Sequence, residues 1–323
     1  MMLTRRRALH AGGAAIASAA LSRGGWATPW GPRSPVDFTV PAGACDCHVH
    51  IVADSRRFPM APDRVYTPPE ASPDMLLDLQ HDLHFDRVVL IQPSFYGTDN
   101  AAMLDALGRL GGRARAVAVA GENVKAAELD AMAKAGVRGL RINLETAGLF
   151  DPAVAARKLA VAAAQCRDRG WHVQLYTRPS VIVALRSQLD GLPVPLVLDH
   201  FAGMQGALGL GQPGFDAVTA LVGAGKAYVK ISAAYRASKA PAPYDEMAPF
   251  ARALVAANPD RVIWGSDWPH TDAARVPGRA ATAISPFLTI DDGLMLNQFP
   301  RWVPDAALRQ KILSENPARL YGF

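Results

Sequence analysis

The 323-residue sequence predicts an α/β protein, a single (β/α)8 barrel formed by residues 44–323. Three observations support this prediction. Eight short apolar segments occur along the chain, a helix-like segment follows each of them, and most of the short segments have the β-branched cores of strands buried on both faces. A doubly wound open sheet is the alternative. No Gly-x-Gly-x-x-Gly motif follows the first strand, which argues against dinucleotide binding in such a sheet.

The predicted elements alternate regularly from residue 44 to the C-terminus. Strands are predicted over 44–51, 87–92, 114–120, 137–143, 171–176, 194–200, 227–232 and 261–267. Helices are predicted over about 72–84, 99–111, 123–135, 152–169, 180–190, 214–224, 244–257 and 305–319. Several helices begin with a capping residue or a first-turn proline, namely at Ser72-Pro73, Asp151-Pro152 and Pro304-Asp305. The alternation contains no internal repeat and no low-complexity linker, which indicates one domain.

The first 27 residues have the pattern of an export signal. The segment TRRRALH at 4–10 resembles a twin-arginine signal, and a weakly apolar Ala/Gly stretch follows it that is too short to span a membrane. We expect cleavage after Ala27, export by the twin-arginine machinery and a periplasmic location. Residues 28–43 form a Pro/Gly-rich lead-in to the barrel.

The net charge of +5 comes almost entirely from the export signal. Four of the 34 basic residues and none of the 29 acidic residues lie in the first 27 positions, so the remainder carries 30 basic and 29 acidic residues. This balance gives no reason to expect a nucleic-acid partner or a stable membrane association. The three cysteines form no Cys-x-x-Cys zinc pattern.

The segment Asp46-Cys47-His48-Val49-His50 on the first strand concentrates chemically active side chains. Because side chains alternate between the faces of a strand, Asp46, His48 and His50 should share one face. Cys45 and Cys47 should lie on the opposite face as small buried hydrophobes. Three polar groups directed at one interior predict a catalytic centre there.

Polar residues also stand at the C-terminal ends of the other strands, where the active sites of (β/α)8 barrels lie. Seven strands contribute: His48 and His50 on the first, Gln92 and Ser94 at the second, Arg141 and Asn143 on the fourth, Gln174 and Tyr176 on the fifth, Asp199 and His200 on the sixth, Lys230, Ser232 and Arg236 at the seventh, and Asp267 on the eighth. A purely structural chain would not collect polar residues at one rim, so the set predicts an active site.

These residues resemble the amidohydrolase superfamily, which has His-x-His on strand one, a histidine on strand six and an aspartate on strand eight. Further motifs resemble the amidohydrolase-2 branch that contains 2-pyrone-4,6-dicarboxylate lactonase. They are QPSFYGTDN (92–100), GVRGLRIN (136–143), HVQLY (172–176), VLDH (197–200), KISAAYR (230–236), VIWGSDWPH (262–270) and ENPARLYGF (315–323). The resemblance covers residues 44–323 and implies a hydrolase of small lactones from the degradation of aromatic compounds.

The resemblance implies two schemes that use the same residues. In the preferred scheme, which needs no metal, His48, His50 and His200 polarise the lactone carbonyl and Asp267 is the general base for water. In the other, His48, His50, His200 and Asp267 hold one divalent metal such as zinc. Metal-binding members often have a histidine at the end of strand five, where this chain has Tyr176. His172 comes four residues earlier, and we interpret it as a core residue.

The substrate is expected to be a small anionic lactone. Arg141 and Arg236 are the natural bidentate partners of a carboxylate or sulfonate near the mouth of the barrel. Neutral hydrogen bonds could come from Tyr66, Ser94, Tyr96 and Tyr176, and His270, after Trp268-Pro269, should either face the substrate or fix its loop.

The identity of the lactone stays open. The pyrone dicarboxylate lactonase is expected to have a second arginine where this chain has Ala147, although Arg178 could compensate. A sulfo- or carboxymuconolactone or an aldonolactone is therefore an alternative to the pyrone dicarboxylate. Two further functions remain possible on the same fold: a metal-dependent decarboxylase or hydratase of an aromatic-derived acid, and a non-catalytic binding protein for organic acids. The retained histidines and Asp267 argue against the binding protein.

Overall fold

The structure, a computed structural model, describes residues 33–274 and 276–323. The predicted export signal, its cleavage site and residues 28–32 of the lead-in lie outside the described residues. Within the described residues, no helix is both long enough and apolar enough to cross a bilayer.

Eight parallel strands form the barrel, and the predicted fold class is confirmed. Each strand pairs with the next one along the chain, in the order β1 to β8. The seam between the last and first strands is held by the backbone N–H of His50, which donates to the carbonyl of Trp268 at 2.8 Å. The strands are β1 (Cys45–Val49), β2 (Arg87–Ile91), β3 (Ala114–Ala118), β4 (Val137–Asn143), β5 (His172–Tyr176), β6 (Leu196–Leu198), β7 (Ala227–Ser232) and β8 (Val262–Gly265).

Helices follow every strand, and the longer ones surround the barrel. Those in the first seven units are α1 (Pro73–Leu83), α2 (Ala101–Leu110), α3 (Ala126–Ala135), α4 (Leu144–Ala147), α5 (Pro152–Arg167), α6 (Pro179–Ala184), α7 (Arg186–Asp190), α8 (Phe215–Gly223), α9 (Ala234–Ala237) and α10 (Ala248–Ala257). After β8 come α11 (Asp292–Asn297), α12 (Phe299–Trp302), α13 (Ala306–Gln310), a π-helical turn at Lys311–Glu315 and α14 (Asn316–Tyr321). α11 and α12 were not predicted from the sequence, and the helix predicted over 180–190 is divided into α6 and α7.

The lower interior of the barrel is a small apolar core. Its members come from six strands and the last helix, an arrangement that only the inside of a closed barrel allows. They are Cys45, Cys47, Val89, Ile91, Val117, Val197, Tyr228, Ile263 and Tyr321. His172 packs at the same level, with its ring centroid 5.3 Å from that of Tyr321. This core closes the barrel from below, so polar chemistry is confined to the upper rim.

The prediction that the cysteines lie opposite the histidines is wrong. A register shift between Asp46 and Val49 inserts one extra residue into β1, so the strict alternation of faces breaks there. Cys47 belongs to the interior core, and the next residue, His48, also points inward, where its Nδ1 lies 3.3 Å from Nζ of Lys230. Asp46 therefore does not share the face of the histidines. Its Oδ1 accepts the N–H groups of His48 at 3.1 Å and Ser266 at 3.0 Å, which joins the shifted strand to β8.

Asp46 makes the stability of this seam depend on pH. Burial raises the pKa of its carboxyl from 3.8 to about 7. The folded chain therefore holds a proton that the unfolded chain releases, and stability falls as pH rises from about 4 to 7. Asp46→Asn keeps the Oδ1 acceptor and removes the charge. We expect its advantage over the wild type in unfolding free energy to grow by roughly 1–3 kcal/mol between pH 5 and pH 8. Urea denaturation at both pH values measures this, and parallel profiles for the two proteins would contradict it.

Candidate active site

A cavity of about 570 Å³ opens at the C-terminal end of the barrel. Most of the residues predicted from the sequence line it, and they arrive from different strands and loops as (β/α)8 geometry requires. The predicted residues in its lining are His50, Tyr66, Ser94, Arg141, Tyr176, His200, Arg236 and Asp267. His48 lies directly beneath them and is fully buried. Rim residues far apart in the chain thus meet in one place.

Asp267 is the centre of the arrangement, because three imidazoles face one of its carboxylate oxygens. Its Oδ1 lies 3.5 Å from Nε2 of His48, 3.4 Å from Nε2 of His50 and 3.7 Å from Nε2 of His200. The backbone of Asp267 is in the left-handed region, with φ of 67°, a conformation that a non-glycine residue adopts only when its surroundings hold it there. The loop after β8 therefore presents this carboxylate at a defined position.

The second carboxylate oxygen of Asp267 is held from the loop after β7. Oδ2 accepts hydrogen bonds from Nε of Arg236 at 2.6 Å and from the hydroxyl of Tyr235 at 2.7 Å. Burial alone would raise the pKa of Asp267, but the guanidinium of Arg236 and the surrounding imidazoles outweigh it and hold that pKa well below the ordinary value. Asp267 is therefore an ionised carboxylate with one oxygen fixed and the other free for chemistry.

His50 imposes a charge requirement on this cluster. Its Nδ1 lies 2.8 Å from the carbonyl oxygen of Ile91, which can only accept, so Nδ1 must carry a proton. Nε2 of a neutral His50 would then direct a lone pair at Oδ1 of Asp267, and two acceptors would face each other. A positive charge between them removes this repulsion.

Three of the four residues predicted to hold a metal, all except His50, form a group that fits a metal ion. Ligand atoms of His48, His200 and Asp267 lie within 4.8 Å of one another, and the buried Nε2 of His48 has no hydrogen-bond partner among the described residues. Ligands around a tetrahedral zinc lie roughly 3.3–3.6 Å apart. The separations of 3.5 and 3.7 Å between the two imidazoles and Oδ1 of Asp267 are close to that spacing. Two histidines and a carboxylate that leave an open position are a donor set that zinc accepts.

A buried polar network supports His48 from below. Nζ of Lys230 donates to Oε1 of Gln174 at 2.8 Å and lies 3.4 Å from Oδ1 of Asp199. The other oxygen of Asp199 accepts from Nε of Arg141 at 3.2 Å and from Nε2 of Gln174 at 3.0 Å. Burial would raise the pKa of Asp199, but the positive charges of Lys230 and Arg141 and the contact with His48 hold it well below the ordinary value. A fully buried ion pair thus sits under the catalytic rim.

His200 is positioned by the strands beside it. Its Nδ1 lies 2.9 Å from Oγ of Ser232, and its ring packs edge-on against Tyr176 with the centroids 4.9 Å apart. Burial lowers the pKa of His200 to about 4, although Asp267 and Asp199 oppose this. His200 is therefore a neutral imidazole at physiological pH. It can act as a hydrogen-bond donor or as a metal ligand.

Two residues predicted to bind substrate lie outside the cavity lining. The hydroxyl of Tyr96 accepts the backbone N–H of Ala53 at 3.0 Å. His270 is buried, with Nε2 3.0 Å from Oδ1 of Asp292 and Nδ1 3.3 Å from the hydroxyl of Tyr235. Of the two roles predicted for His270, these contacts correspond to fixing the loop and not to facing the substrate. Tyr235 itself was missed; the only signal for it was its place beside Arg236 in the KISAAYR motif.

The remaining predicted groups line the mouth of the cavity. The hydroxyl of Tyr66 lies 3.2 Å from Oγ1 of Thr271, and Ser94 lines the same wall. Arg178 was predicted as a possible replacement for the arginine that is absent at Ala147. It also lines the cavity, but its guanidinium pairs with Glu145 at 3.3 Å. The end of β5 carries Tyr176, and His172 on the same strand lies in the lower core. No imidazole from β5 reaches the cluster in the described part of the chain.

Known proteins resemble this chain in both sequence and fold. The family model described as amidohydrolase matches residues 45–323. A 4-sulfomuconolactone hydrolase from Rhizobium radiobacter is 34% identical, covering 90% of this chain and 95% of the relative. A 2-pyrone-4,6-dicarboxylate hydrolase from Comamonas testosteroni is also 34% identical, covering 92% and 96%. The crystal structure of a probable 2-pyrone-4,6-dicarboxylic acid hydrolase from Acinetobacter baumannii, with citric acid bound, has a TM-score of 0.74 at 26% identity, covering 87% of this chain and 100% of that one.

Proposed function

The chain belongs to the amidohydrolase family, and from that premise we propose that it is an enzyme that hydrolyses a small anionic lactone. The observation that carries the proposal is the single ionised carboxylate of Asp267, which faces three imidazoles at the rim of the barrel. Relatives that align over almost the whole chain are named as lactone hydrolases, which supports the same reaction class. The decarboxylase and hydratase alternatives gain no support, because β5 supplies no histidine to the cluster.

Asp267 is the general base in this proposal. Water adds to the ester carbonyl carbon while Oδ1 of Asp267 takes its proton, because Oδ2 is already occupied by Arg236 and Tyr235. Collapse of the tetrahedral adduct breaks the bond between the carbonyl carbon and the ring oxygen. The proton on Asp267 then passes to that departing oxygen, and a ring-opened hydroxy acid is released.

His48 and His200 stabilise the charge that develops on the carbonyl oxygen. Nδ1 of His48 lies 3.3 Å from Nζ of Lys230 and 3.3 Å from Oδ1 of Asp199. In the tautomer in which Lys230 donates to Nδ1, His48 carries its proton on Nε2, the nitrogen that faces the reaction. Fixed donors of this kind contribute about 3–4 kcal/mol each when they are aimed at a developing oxyanion. Because the imidazoles are buried and already oriented, they need little reorganisation during the reaction.

A divalent metal such as zinc, held by His48, His200 and Asp267, would supply a Lewis acid and lower the pKa of a bound water. In the scheme without a metal, Asp267 activates the water and the two imidazoles stabilise the oxyanion. Metal content and turnover, measured on one sample before and after chelator treatment, distinguish the two schemes. Full activity at under about a tenth of an equivalent of metal would exclude the metal-dependent one.

Arg141 is the residue that we propose for recognition of the substrate anion. Its Nε is bonded to Asp199, while the guanidinium lines the cavity 5.7 Å from the ring of Tyr176. A bidentate contact with a carboxylate or sulfonate is open to the remaining guanidinium nitrogens. The citric acid bound to the related Acinetobacter baumannii protein supports an acidic ligand.

Arg141→Met tests this role together with the substrate class. Purified enzyme should hydrolyse carboxylated or sulfonated muconolactones and pyrones, and the variant should raise KM for them by about 10–100-fold, the effect of losing one charge-assisted contact. Lactones whose acid group is blocked as a methyl ester should show little change. Arg141→Lys, which keeps the charge but loses the planar fork, should fall between the two. An equal rise in KM for charged and neutral lactones would refute anion recognition by Arg141.

A further inference from the structure

A second cavity, of about 700 Å³, adjoins the site cavity at the same end of the barrel. Four residues line both cavities, namely Glu145, Tyr176, Arg178 and Arg236. These shared side chains separate the two spaces, so a ligand seated over Asp267 extends from one into the other only when part of this wall moves aside. A small lactone fills only part of the combined space, since cavities of 300–1,000 Å³ hold whole drug-sized ligands.

The second cavity differs from the first in its chemistry. Its outer wall is apolar, formed by Pro179, Val183, Leu208 and Pro213. Leu208 is 64% exposed and Val183 is 48% exposed, so two large apolar side chains of this lining remain accessible to solvent. The side-chain amide of Gln212 donates to two backbone carbonyls. An apolar group would therefore be better accommodated here than a charged one.

The wall between the cavities can be opened at little cost. Arg178 and Glu145 form its outer part, 3.3 Å apart, with side chains that are 54% and 30% exposed. Such an exposed ion pair contributes at most about 1 kcal/mol. The guanidinium of Arg178 also lies 3.6 Å from the ring centroid of Phe150, so Arg178 has a stacking partner that remains available if Glu145 moves away.

We propose that the second cavity is a subsite for an uncharged apolar substituent, aryl or alkyl, carried by the lactone ring. The inference rests on the proposed lactone hydrolysis and specifies its substrate class. The acid group would remain beside Arg141 and the scissile carbonyl beside Asp267, while the substituent passes Tyr176 to reach Leu208. The preferred substrate would then be larger than a simple muconolactone.

The test compares muconolactone with the same carboxylated ring bearing a phenyl group. Wild-type enzyme should prefer the phenyl-bearing lactone by about tenfold or more in kcat/KM, the range seen when an apolar pocket gains a group to hold. Leu208→Asp places a charge on the apolar wall and should reduce that preference by about tenfold. Leu210→Asp is the matched control: Leu210 is 44% exposed, two residues along the same loop, and outside the cavity lining. It should keep the preference.

The outcomes distinguish a failure of the subsite from a failure of the proposed function. If muconolactone is hydrolysed but the phenyl group brings no advantage, the subsite is wrong and the lactone-hydrolase proposal stands. If the two aspartate variants change the preference equally, the cavity wall is not what recognises the substituent, and the subsite is again wrong. If neither lactone is turned over, the proposed function fails, and the subsite, which rests on it, fails too.

Discussion

Replacing Asp267 with asparagine is expected to lower kcat by about 10²–10⁴-fold, the contribution of a positioned general base. The amide has nearly the shape of the carboxylate but cannot take the proton of the attacking water. The effect should fall on kcat more than on KM, because Arg141, the residue proposed to bind the substrate anion, is unchanged. Single-turnover kinetics on a muconolactone would measure the chemical step directly.

The asparagine variant should remain folded. The amide oxygen of asparagine can take the place of Oδ2 of Asp267. It can then still accept from Arg236 and Tyr235, the two groups that hold the carboxylate in place. Asp272→Asn is a suitable control, since Asp272 lies at the cavity mouth and its carboxylate accepts the N–H of Ala274 at 2.9 Å. That control should keep kcat within about twofold, in line with the small effect of substitutions away from the reacting atoms. Near-full turnover by the Asp267 variant, with both proteins folded by circular dichroism, would show that another group is the base.

The fold was predictable because its determinants are local. Each strand of a parallel barrel is buried on both faces, so a run such as Arg87–Ile91, with four apolar residues in succession, stands out from the mixed sequences of its flanking helices. Capping residues add a second local signal: Ser72 accepts the backbone N–H of Met75 at the start of α1. Such signals lie within a few residues of the element that they define, and they survive without knowledge of the tertiary structure.

The register shift in β1 could not be predicted in the same way. It is stabilised by Oδ1 of Asp46, which accepts the N–H of Ser266 from a strand more than 200 residues away. Nothing within β1 indicates that partner, so the simple alternation rule placed Asp46 beside the histidines and the cysteines opposite them. Sequence periodicity describes an isolated strand, whereas the face of a residue here depends on the strand that closes the barrel.

Most of the candidate site was predictable for a topological reason. Parallel strands end at one rim, so polar residues at strand ends such as Arg141 and Asp267 must come together whatever the loops do. Tyr235 and the Asp292 contact to His270 were not predictable, because they depend on loop conformation. α9 brings Tyr235 and Arg236 to the same carboxylate, and α11, which was absent from the predicted elements, carries Asp292.

The second large effect is expected at Lys230, which is fully buried beneath His48. Lys230→Met removes the cation that lies 3.4 Å from Oδ1 of Asp199 and leaves that carboxylate buried with Arg141 and Gln174 as its remaining partners. Breaking a buried ion pair on one side costs about 3–5 kcal/mol of unfolding free energy. It also removes the donor toward Nδ1 of His48, so kcat should fall in whatever fraction remains folded. Urea denaturation and steady-state kinetics on the same preparation measure both effects.

Loss of the cation can be separated from loss of packing by a second substitution. The double variant Lys230→Met/Asp199→Asn removes both charges, so it should be more stable than Lys230→Met alone, because no uncompensated carboxylate is left in the barrel. Lys311→Met breaks a solvent-accessible pair with Asp260 and should change stability by less than about 1 kcal/mol. If the destabilisations of Lys230→Met and of Asp199→Asn, each measured alone, simply add in the double variant, Lys230 and Asp199 are not energetically coupled. The polar layer under His48 would then be a set of separate contacts, and kcat would not follow the charge of residue 230.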